Sequence, residues 1–480
     1  MCVPSTFTRR IALLMILTIC TGYCAARDVP IAFVDVTIVP MNREHLLPGQ
    51  TVVVLGRRIV QTGPASSIKL PANALKIDGR GRYLMPGLAD MHVHLIRSLD
   101  AVKAKRSLPA QAASDTIPPL SASDDHEREN RALGLLYVSN GITTVRNMWG
   151  DSAIDTFANV VESGQVLGPH VYSTGPITDG SHYQWEGSRT VGSESEAKEA
   201  VEQDVRAHRI ALKVYNGLSA DAYQWLVSSA RKHGLPVVGH VPYAVGLQGV
   251  VEARQDSIEH LDGFLEALQG VPPLPANATT RQFLENVDIS KMTSLADAIR
   301  AANVWNCPTV VLDKSIPNDA LWQRKISLMP PALVERYRGG MPQWSAHPEV
   351  TQRVYDLHLA ILRILHERGA RLLLGTDATK PTVLPAFSLQ DELESFLRAG
   401  LTPYEALRAG TADAAIFLHQ EEEFGTVRSG LRADLLLLKA DPLESVDNLD
   451  KRVGVMVAGR WLTEAELEHR LRALRDSYRP

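Results

Sequence analysis

The sequence predicts an α/β fold, a (β/α)₈ TIM barrel with a small β-sandwich domain formed by the N- and C-terminal segments. Between residues 86 and 424, short apolar runs alternate with amphipathic stretches at helical spacing, which is typical of a parallel sheet buried on both faces. There are eight such runs, the number that closes this barrel. Both ends of the chain instead carry short strands rich in Val and Ile.

Residues 1–26 are predicted to be a signal peptide. Arg9 and Arg10 precede an apolar run over Ile11–Cys20, and small residues up to Ala26 follow it. Cleavage after Ala26 would place the mature protein in the periplasm or outside the cell, with no membrane attachment. An uncleaved membrane anchor is the alternative.

The remaining ends of the chain, residues 27–85 and 425–480, are expected to pair into one β-sandwich domain beside the barrel. In both parts, Gly- and Asp-containing turns separate the apolar runs. A closing helix is predicted over Glu464–Ser477. The predicted strands are Ile31–Val39, Thr51–Leu55, Arg58–Gln61, Gly425–Val427, Ala433–Leu438 and Val453–Val457.

The barrel is predicted over residues 86–424. A doubly wound open sheet is the alternative, but no glycine-rich phosphate loop follows the first strand. Residues 262–303 and 313–353 exceed ordinary connections, so lids or insertions over the barrel mouth are expected there. The eight predicted barrel strands are Leu88–Leu95, Ile142–Met148, His170–Thr174, Ala211–Tyr215, Pro236–Val241, Ser257–Leu261, Val304–Val311 and Arg371–Gly375.

Composition and charge restrict the possible partners. The 480 residues are 45% hydrophobic and 22% charged, and the formal net charge of −4 becomes −6 when the two leader arginines are removed. Neither value favours a nucleic-acid or membrane-surface partner, so a small-molecule substrate is expected, and a homo-oligomer remains open. Cys307 is the one cysteine after residue 26, which excludes an internal disulfide and a cysteine-based zinc site.

Side chains that suit a metal ion stand in or at the ends of five predicted barrel strands. Alternate residues of a strand share a face, so two histidines in a His-x-His motif can reach one ion. A lysine inside an apolar strand is costly to bury as an unpaired cation. Active sites of such barrels lie at the C-terminal ends of the strands. The residues are His92, His94, Lys213, His240, His260 and Asp377.

Together with several longer motifs, these residues make the chain resemble the amidohydrolase superfamily. The similarity is to the branch that contains imidazolonepropionase and metal-dependent dipeptidases of the prolidase type, and it extends over nearly the whole mature chain. The segments that carry it are Met85–His94, Gly141–Arg146, Ser257–His260, Gly375–Asp377, Ala399–Leu407 and Gly430–Leu435.

The resemblance implies one or two divalent metal ions, with zinc expected. His92, His94 and Asp377 would hold one ion. His240 and His260 would hold a second. Lys213, carboxylated by CO₂ to N6-carboxylysine, would bridge the two ions. Carboxylation would also turn the buried cation into an anionic ligand.

The implied reaction is hydrolysis of an amide C–N bond in a dipeptide, an N-acyl amino acid or a cyclic amide. Metal-activated hydroxide would attack the carbonyl, and Asp377 would act as general base and then as general acid. Lactone, ester or phosphotriester hydrolysis on the same site is an alternative. A non-catalytic exported barrel that binds a metal or ligand is another, although it would need no proton shuttle.

Four further residues are candidates for substrate binding. His182 follows the third barrel strand, and Tyr215 and Tyr243 lie just beyond Lys213 and His240, where a hydroxyl could polarise a carbonyl. Arg146 could meet a substrate carboxylate. Packing at the rim is the alternative for the tyrosines, and a structural ion pair is the alternative for Arg146.

Overall fold

The structure is a computed structural model that describes residues 29–97, 122–271, 273–275, 277–314, 319–335, 337–338, 347–380 and 383–478. The predicted signal peptide lies outside these residues. Within them, no helix combines the length and apolar character that a membrane span requires.

Eighteen strands are found in the described residues, and they form two architectures. The strands are β1 (Ile31–Ile38), β2 (Leu47–Leu55), β3 (Arg58–Pro64), β4 (Leu75–Asp78), β5 (Tyr83–Pro86), β6 (Leu88–Val93), β7 (Ile142–Asn147), β8 (His170–Ser173), β9 (Ile177–Asp179), β10 (Arg189–Thr190), β11 (Leu212–Val214), β12 (Val237–Gly239), β13 (Ser257–Glu259), β14 (Trp305–Cys307), β15 (Arg371–Leu372), β16 (Leu435–Leu438), β17 (Arg452–Val457) and β18 (Arg460–Thr463).

The two ends of the chain pair into one sheet, as predicted. Its order is β18-β17-β16-β5-β1-β2-β3, with β4 beside β1. The ends join where β16 runs antiparallel to β5, and side chains such as Phe33, Leu435 and Met456 form the buried core. The predicted strand Gly425–Val427 is wrong: Gly425 and Thr426 lie in a bend, Val427 has no regular secondary structure, and Gly425 adopts a positive φ of 93°.

The barrel contains all eight predicted strands, each shorter than its apolar run. The strands pair in parallel from β6 to β8 and from β11 to β15. A parallel bridge between Val93 and Ala378 joins the last unit to the first. The third barrel strand is interrupted after β8 and continues as β9, which pairs with β11. All C-terminal strand ends therefore meet at one face.

Helices follow most barrel strands, and several begin with a side-chain cap. Ser219, for example, accepts a hydrogen bond from the backbone N–H of Ala222. The segment 262–303, predicted to be an insertion, contains α6, α7 and α8. The helices are α1 (Ala122–Ser139), α2 (Ser152–Glu162), α3 (Glu194–Arg206), α4 (Ala220–Lys232), α5 (Gly246–Glu252), α6 (Phe264–Ala267), α7 (Thr280–Glu285), α8 (Met292–Ala302), α9 (Ala320–Ile326), α10 (Pro348–Glu367), α11 (Ser388–Arg398), α12 (Pro403–Ala409), α13 (Ala412–Phe417) and α14 (Glu464–Asp476).

A buried charge network joins the barrel to the β-sandwich. Asp434, just before β16, accepts a hydrogen bond from Arg432 Nε at 2.5 Å and another from the backbone N–H of Ala458 at 2.7 Å. Its Oδ2 also lies 3.6 Å from Nε2 of His170 on β8. Burial alone would raise the pKa of Asp434, but Arg432 and His170 outweigh it and hold the pKa well below its usual range.

Acid should weaken this junction. Because the pKa of Asp434 is lowered on folding, its stabilising effect is present above about pH 4 and is lost as the pH falls toward the folded pKa. We expect Asp434→Asn to lower the free energy of unfolding by about 3–5 kcal/mol at pH 7, with a smaller loss near pH 3. Thermal unfolding at both pH values measures this. Asp297→Asn, in an exposed pair with Arg368, is the control and should cost less than about 1 kcal/mol. If Asp434→Asn lowered the free energy of unfolding equally at both pH values, the prediction would be contradicted.

Candidate metal centre

Five barrel strands deliver the six predicted ligands to one face. Their positions follow from the parallel pairing of the strands, because every C-terminal strand end points to the same rim. Lys213 lies in the middle of β11. His92 lies on β6, His94 directly after β6, His240 directly after β12, His260 directly after β13, and Asp377 beyond β15.

His92, His94 and Asp377 form one compact group. Asp377 Oδ1 lies 2.9 Å from His94 Nε2 and 3.4 Å from His92 Nε2. One ligand atom from each residue lies within 4.8 Å of the other two. His92 Nε2 and Asp377 Oδ1 are buried, and neither makes a hydrogen bond. Buried polar atoms are seldom left unbonded, so this set of imidazole nitrogens and a carboxylate oxygen fits a divalent cation.

His240 and His260 form the neighbouring group. The His260 ring centroid lies 4.5 Å from that of His92 and 4.9 Å from that of His240. Nδ1 of His240 lies 2.7 Å from Asn216 Oδ1, and Nδ1 of His260 lies 2.7 Å from Thr309 Oγ1. These contacts leave Nε2 of each ring as the ligand atom.

Burial controls the charge of the histidines. It lowers the pKa of His92 and His240 well below the usual range, and it lowers the pKa of His260 to about 4. The pKa of His94 is also lowered, although Asp377 opposes that effect. The rings are therefore neutral at pH 7, which is the form that binds metal ions.

Lys213 lies on the strand that pairs with β12, which ends just before His240, and it is 1% exposed. Burial lowers its pKa to about 8, although Glu259 and Asp377 favour the charged form. The neighbouring strand leaves little space around it. At Gly239, where φ is +130°, an added Cβ would lie 2.2 Å from the backbone oxygen of Val214 and 3.2 Å from Lys213 Cδ. Only glycine fits beside the lysine.

Arg146 and Glu259 make a fully buried ion pair behind His92. Arg146 donates to Glu259 at 2.8 and 3.0 Å, and His92 Nδ1 lies 2.7 Å from Glu259 Oε2. Arg146 also donates to the backbone oxygen of Met91 and to Ser257 Oγ. The guanidinium is 0% exposed, so it has no surface for a substrate carboxylate, and through Glu259 it helps to orient His92, a candidate metal ligand. Of the two interpretations of Arg146, the structural ion pair is the one that agrees with the structure.

Sequence reasoning missed the residues that support the ligands. Asp90 accepts hydrogen bonds from Thr376 N at 3.0 Å and Thr376 Oγ1 at 2.7 Å, which ties β6 to the segment that carries Asp377. Burial raises the pKa of Asp90 to about 7. The available signal was an acid inside an otherwise apolar strand, because such a group needs a partner. Glu259 is likewise an acid in an apolar strand, so the same signal was available for it.

The other predicted substrate residues differ in their distance from the ligands. Tyr215 packs on His240, with ring centroids 3.8 Å apart, and its hydroxyl accepts a hydrogen bond from Trp185 Nε1 at 2.7 Å. His182 is exposed, and Tyr243 is 76% exposed. The structure thus brings Tyr215 to the ligands, whereas it places His182 and Tyr243 on the surface.

Known proteins resemble this chain in sequence and in fold. An ochratoxinase from Aspergillus niger is 35% identical over 96 residues, which cover 20% of this chain and 19% of the ochratoxinase. This chain thus matches about a fifth of that relative's length. A bottromycin amidohydrolase superposes with a TM-score of 0.68 at 24% identity, over 93% of this chain and 90% of that one.

A prolidase complexed with N-methylphosphonate-L-proline superposes with a TM-score of 0.64 at 20% identity, over 91% of this chain and 100% of that one. At these identities the likeness is one of fold. The match to the amidohydrolase family covers residues 83–462, which include the barrel and all six predicted ligands. The resemblance inferred from the motifs is confirmed, and the chain belongs to the amidohydrolase family.

Proposed function

We propose that this protein is an exported metal-dependent hydrolase that cleaves an amide C–N bond in a dipeptide, an N-acyl amino acid or a cyclic amide. One observation carries the proposal: two imidazole nitrogens and the Asp377 carboxylate converge at the C-terminal face of the barrel, where the buried His92 Nε2 and Asp377 Oδ1 have no hydrogen-bond partner. Membership of the amidohydrolase family supports the reaction class.

We propose that these residues bind one or two divalent ions, and that the metal is zinc. His92, His94 and Asp377 would hold the first ion, and His240 and His260 would hold the second. N6-carboxylation of Lys213 would provide an anionic bridge between them. A bound ion activates water and polarises the scissile carbonyl.

We propose that Asp377 transfers a proton from the attacking water to the leaving nitrogen. Its carboxylate accepts a proton from the attacking water and delivers it to the leaving nitrogen. Burial alone would raise the pKa of Asp377, but Lys380, His260 and His94 outweigh burial and hold the pKa well below its usual range. Asp377 is therefore ionised at neutral pH, as a general base must be. Its side chain is 3% exposed, which limits competing proton exchange with bulk water.

The remaining site residues orient the ligands and form the wall. Arg146 and Glu259 fix the ring of His92, while Tyr215 packs on that of His240. We propose that Tyr215 meets the substrate, and that His182 and Tyr243 do so from the rim. From the predicted leader, we propose that this chemistry takes place in the periplasm or outside the cell.

A substrate screen tests the function. Zinc-loaded protein is assayed against dipeptides, N-acyl amino acids, cyclic amides, lactones, esters and phosphotriesters. We expect turnover of amides that a chelator abolishes and zinc restores. Turnover confined to the oxygen esters or phosphotriesters would overturn the amide assignment. Bound metal without any turnover would favour the non-catalytic barrel.

Loss of the bridging lysine should reduce metal content. We expect Lys213→Ala to lose one or both ions, because the variant keeps the histidines but lacks the anionic bridge. Metal per chain, measured by plasma mass spectrometry after dialysis, gives the result without any activity assay. Lys232→Ala, on the exposed end of α4, is the matched control. An unchanged metal content in Lys213→Ala would remove Lys213 from the centre.

A further inference from the structure

Lys380 is a cation at the mouth of the metal centre. It lies three residues beyond Asp377, and its Nζ is 3.8 Å from Asp377 Oδ2. Nζ also lies 4.4 Å from the centroid of the Trp185 ring. The side chain is 28% exposed, so one side of the ammonium faces Asp377 while part of the residue reaches solvent. No role for Lys380 follows from the ligand motifs.

A row of packed aromatic side chains holds Lys380 in place. Trp185, in the loop after β9, stacks against the ammonium, and its Nε1 donates to the Tyr215 hydroxyl at 2.7 Å. Tyr215 in turn packs on His240. The cation therefore belongs to a wall that runs from one group of ligands to the other, and its position depends on packed rings as well as on one ion pair.

The charge of Lys380 is only partly compensated. In the described part of the chain, Asp377 is the sole acid within ion-pair distance of its Nζ. The same carboxylate lies against His92 and His94 and belongs to the proposed ligand set. A carboxylate that binds a divalent cation has little charge left to neutralise a lysine. The ammonium can therefore attract an anionic group of a ligand at the mouth.

The geometry points to Lys380, whose ammonium packs on the Trp185 ring, as the residue that binds the carboxylate of a leaving amino acid. This inference rests on the proposed function, in which Asp377 protonates the leaving nitrogen. In an amino acid, the carboxylate carbon is two bonds from that nitrogen, a separation of about 2.5 Å. A leaving group that contacts Asp377 thus brings its carboxylate within reach of Lys380. The cation also offsets repulsion between the two carboxylates.

Matched substrates test this role. Each N-acyl amino acid of the panel is compared with the same compound as its neutral carboxamide. We expect Lys380→Met to lower kcat/KM by about 10- to 100-fold for the carboxylate, and by less than about threefold for the carboxamide. Lys380→Arg should restore much of the preference, and Lys232→Met is the control away from the site. Equal losses on both substrates would overturn the inference.

A binding measurement separates this inference from the proposed function. Zinc-loaded protein is titrated calorimetrically with N-acetyl amino acids and with their carboxamides. We expect the carboxylates to bind more tightly, and Lys380→Met to remove that difference even if the protein hydrolyses no amide. Amide hydrolysis with no effect of Lys380→Met on the preference would refute the role of Lys380 alone. Absence of amide turnover, with the binding preference for carboxylates intact, would refute the proposed function but leave Lys380 as a carboxylate-binding residue.

Discussion

Replacement of Arg146 by methionine is expected to lower the free energy of unfolding by about 3–5 kcal/mol. The substitution removes the guanidinium whose Nη2 donates to both Glu259 oxygens, and it leaves a carboxylate that is 0% exposed without its cationic partner. Burial penalises a charge that has lost its compensating ion far more than it penalises a neutral side chain of similar volume. Chemical denaturation monitored by tryptophan fluorescence measures the change.

Two further variants test the cause of that loss. Arg428→Met breaks an exposed pair with Glu422 and should cost less than about 1 kcal/mol. The double variant Arg146→Met/Glu259→Gln should be more stable than the sum of its single variants implies, because neither charge is then stranded. If Arg146→Met lowers the free energy of unfolding no more than Arg428→Met does, the buried pair does not stabilise the barrel.

The same pair should also affect metal affinity. Glu259 holds Nδ1 of His92 and thereby fixes which nitrogen faces the ligand group. Loss of such a supporting carboxylate typically weakens metal binding by about 10- to 100-fold. Zinc affinity of Glu259→Gln, measured by competition with a chelator, should fall within this range.

Asp377→Asn is expected to reduce kcat for amide hydrolysis by at least about 10²- to 10⁴-fold. Asparagine keeps the size and one oxygen of the side chain, but it cannot accept a proton from water or return one to the leaving nitrogen. Steady-state kinetics on the best amide of the substrate panel measures the loss. Asp221→Asn, exposed in the first turn of α4, serves as the control.

Metal content separates the two roles of Asp377. If the variant keeps its zinc and loses turnover, proton transfer accounts for the loss. If it loses both, and excess zinc restores the metal but not the turnover, the proposed role still holds. A zinc-loaded variant within tenfold of the kcat of the unmodified protein would exclude Asp377 as the general base.

The repeating pattern of the barrel could be predicted because it is local. A strand buried on both faces must be apolar along its whole length, and a surface helix must alternate at 3.6 residues, so each unit is apparent within a short window. The short segment Gly425–Val427 has no such pattern. Its valine is apolar and buried, but a pattern of three residues does not distinguish a strand from a bend that packs against the core.

The convergence of the candidate ligands was predictable for a similar reason. His92, His240 and His260 each stand at a strand end, and the C-terminal ends of parallel barrel strands share one face. Their convergence then follows from the topology alone. By contrast, Arg146 ends a strand just as these residues do, but its guanidinium turns into the barrel toward Glu259. Sequence position could not distinguish that orientation from one toward the substrate.

The sequence by itself determined the barrel, the β-sandwich made from both chain ends, and the set of candidate ligands. Only the tertiary structure decided which groups support those ligands. The pairs Asp90 with Thr376 and Lys380 with Trp185 join residues far apart in the chain. Local periodicity contains no information about such contacts, because they form only when barrel closure brings the first, middle and last strands together.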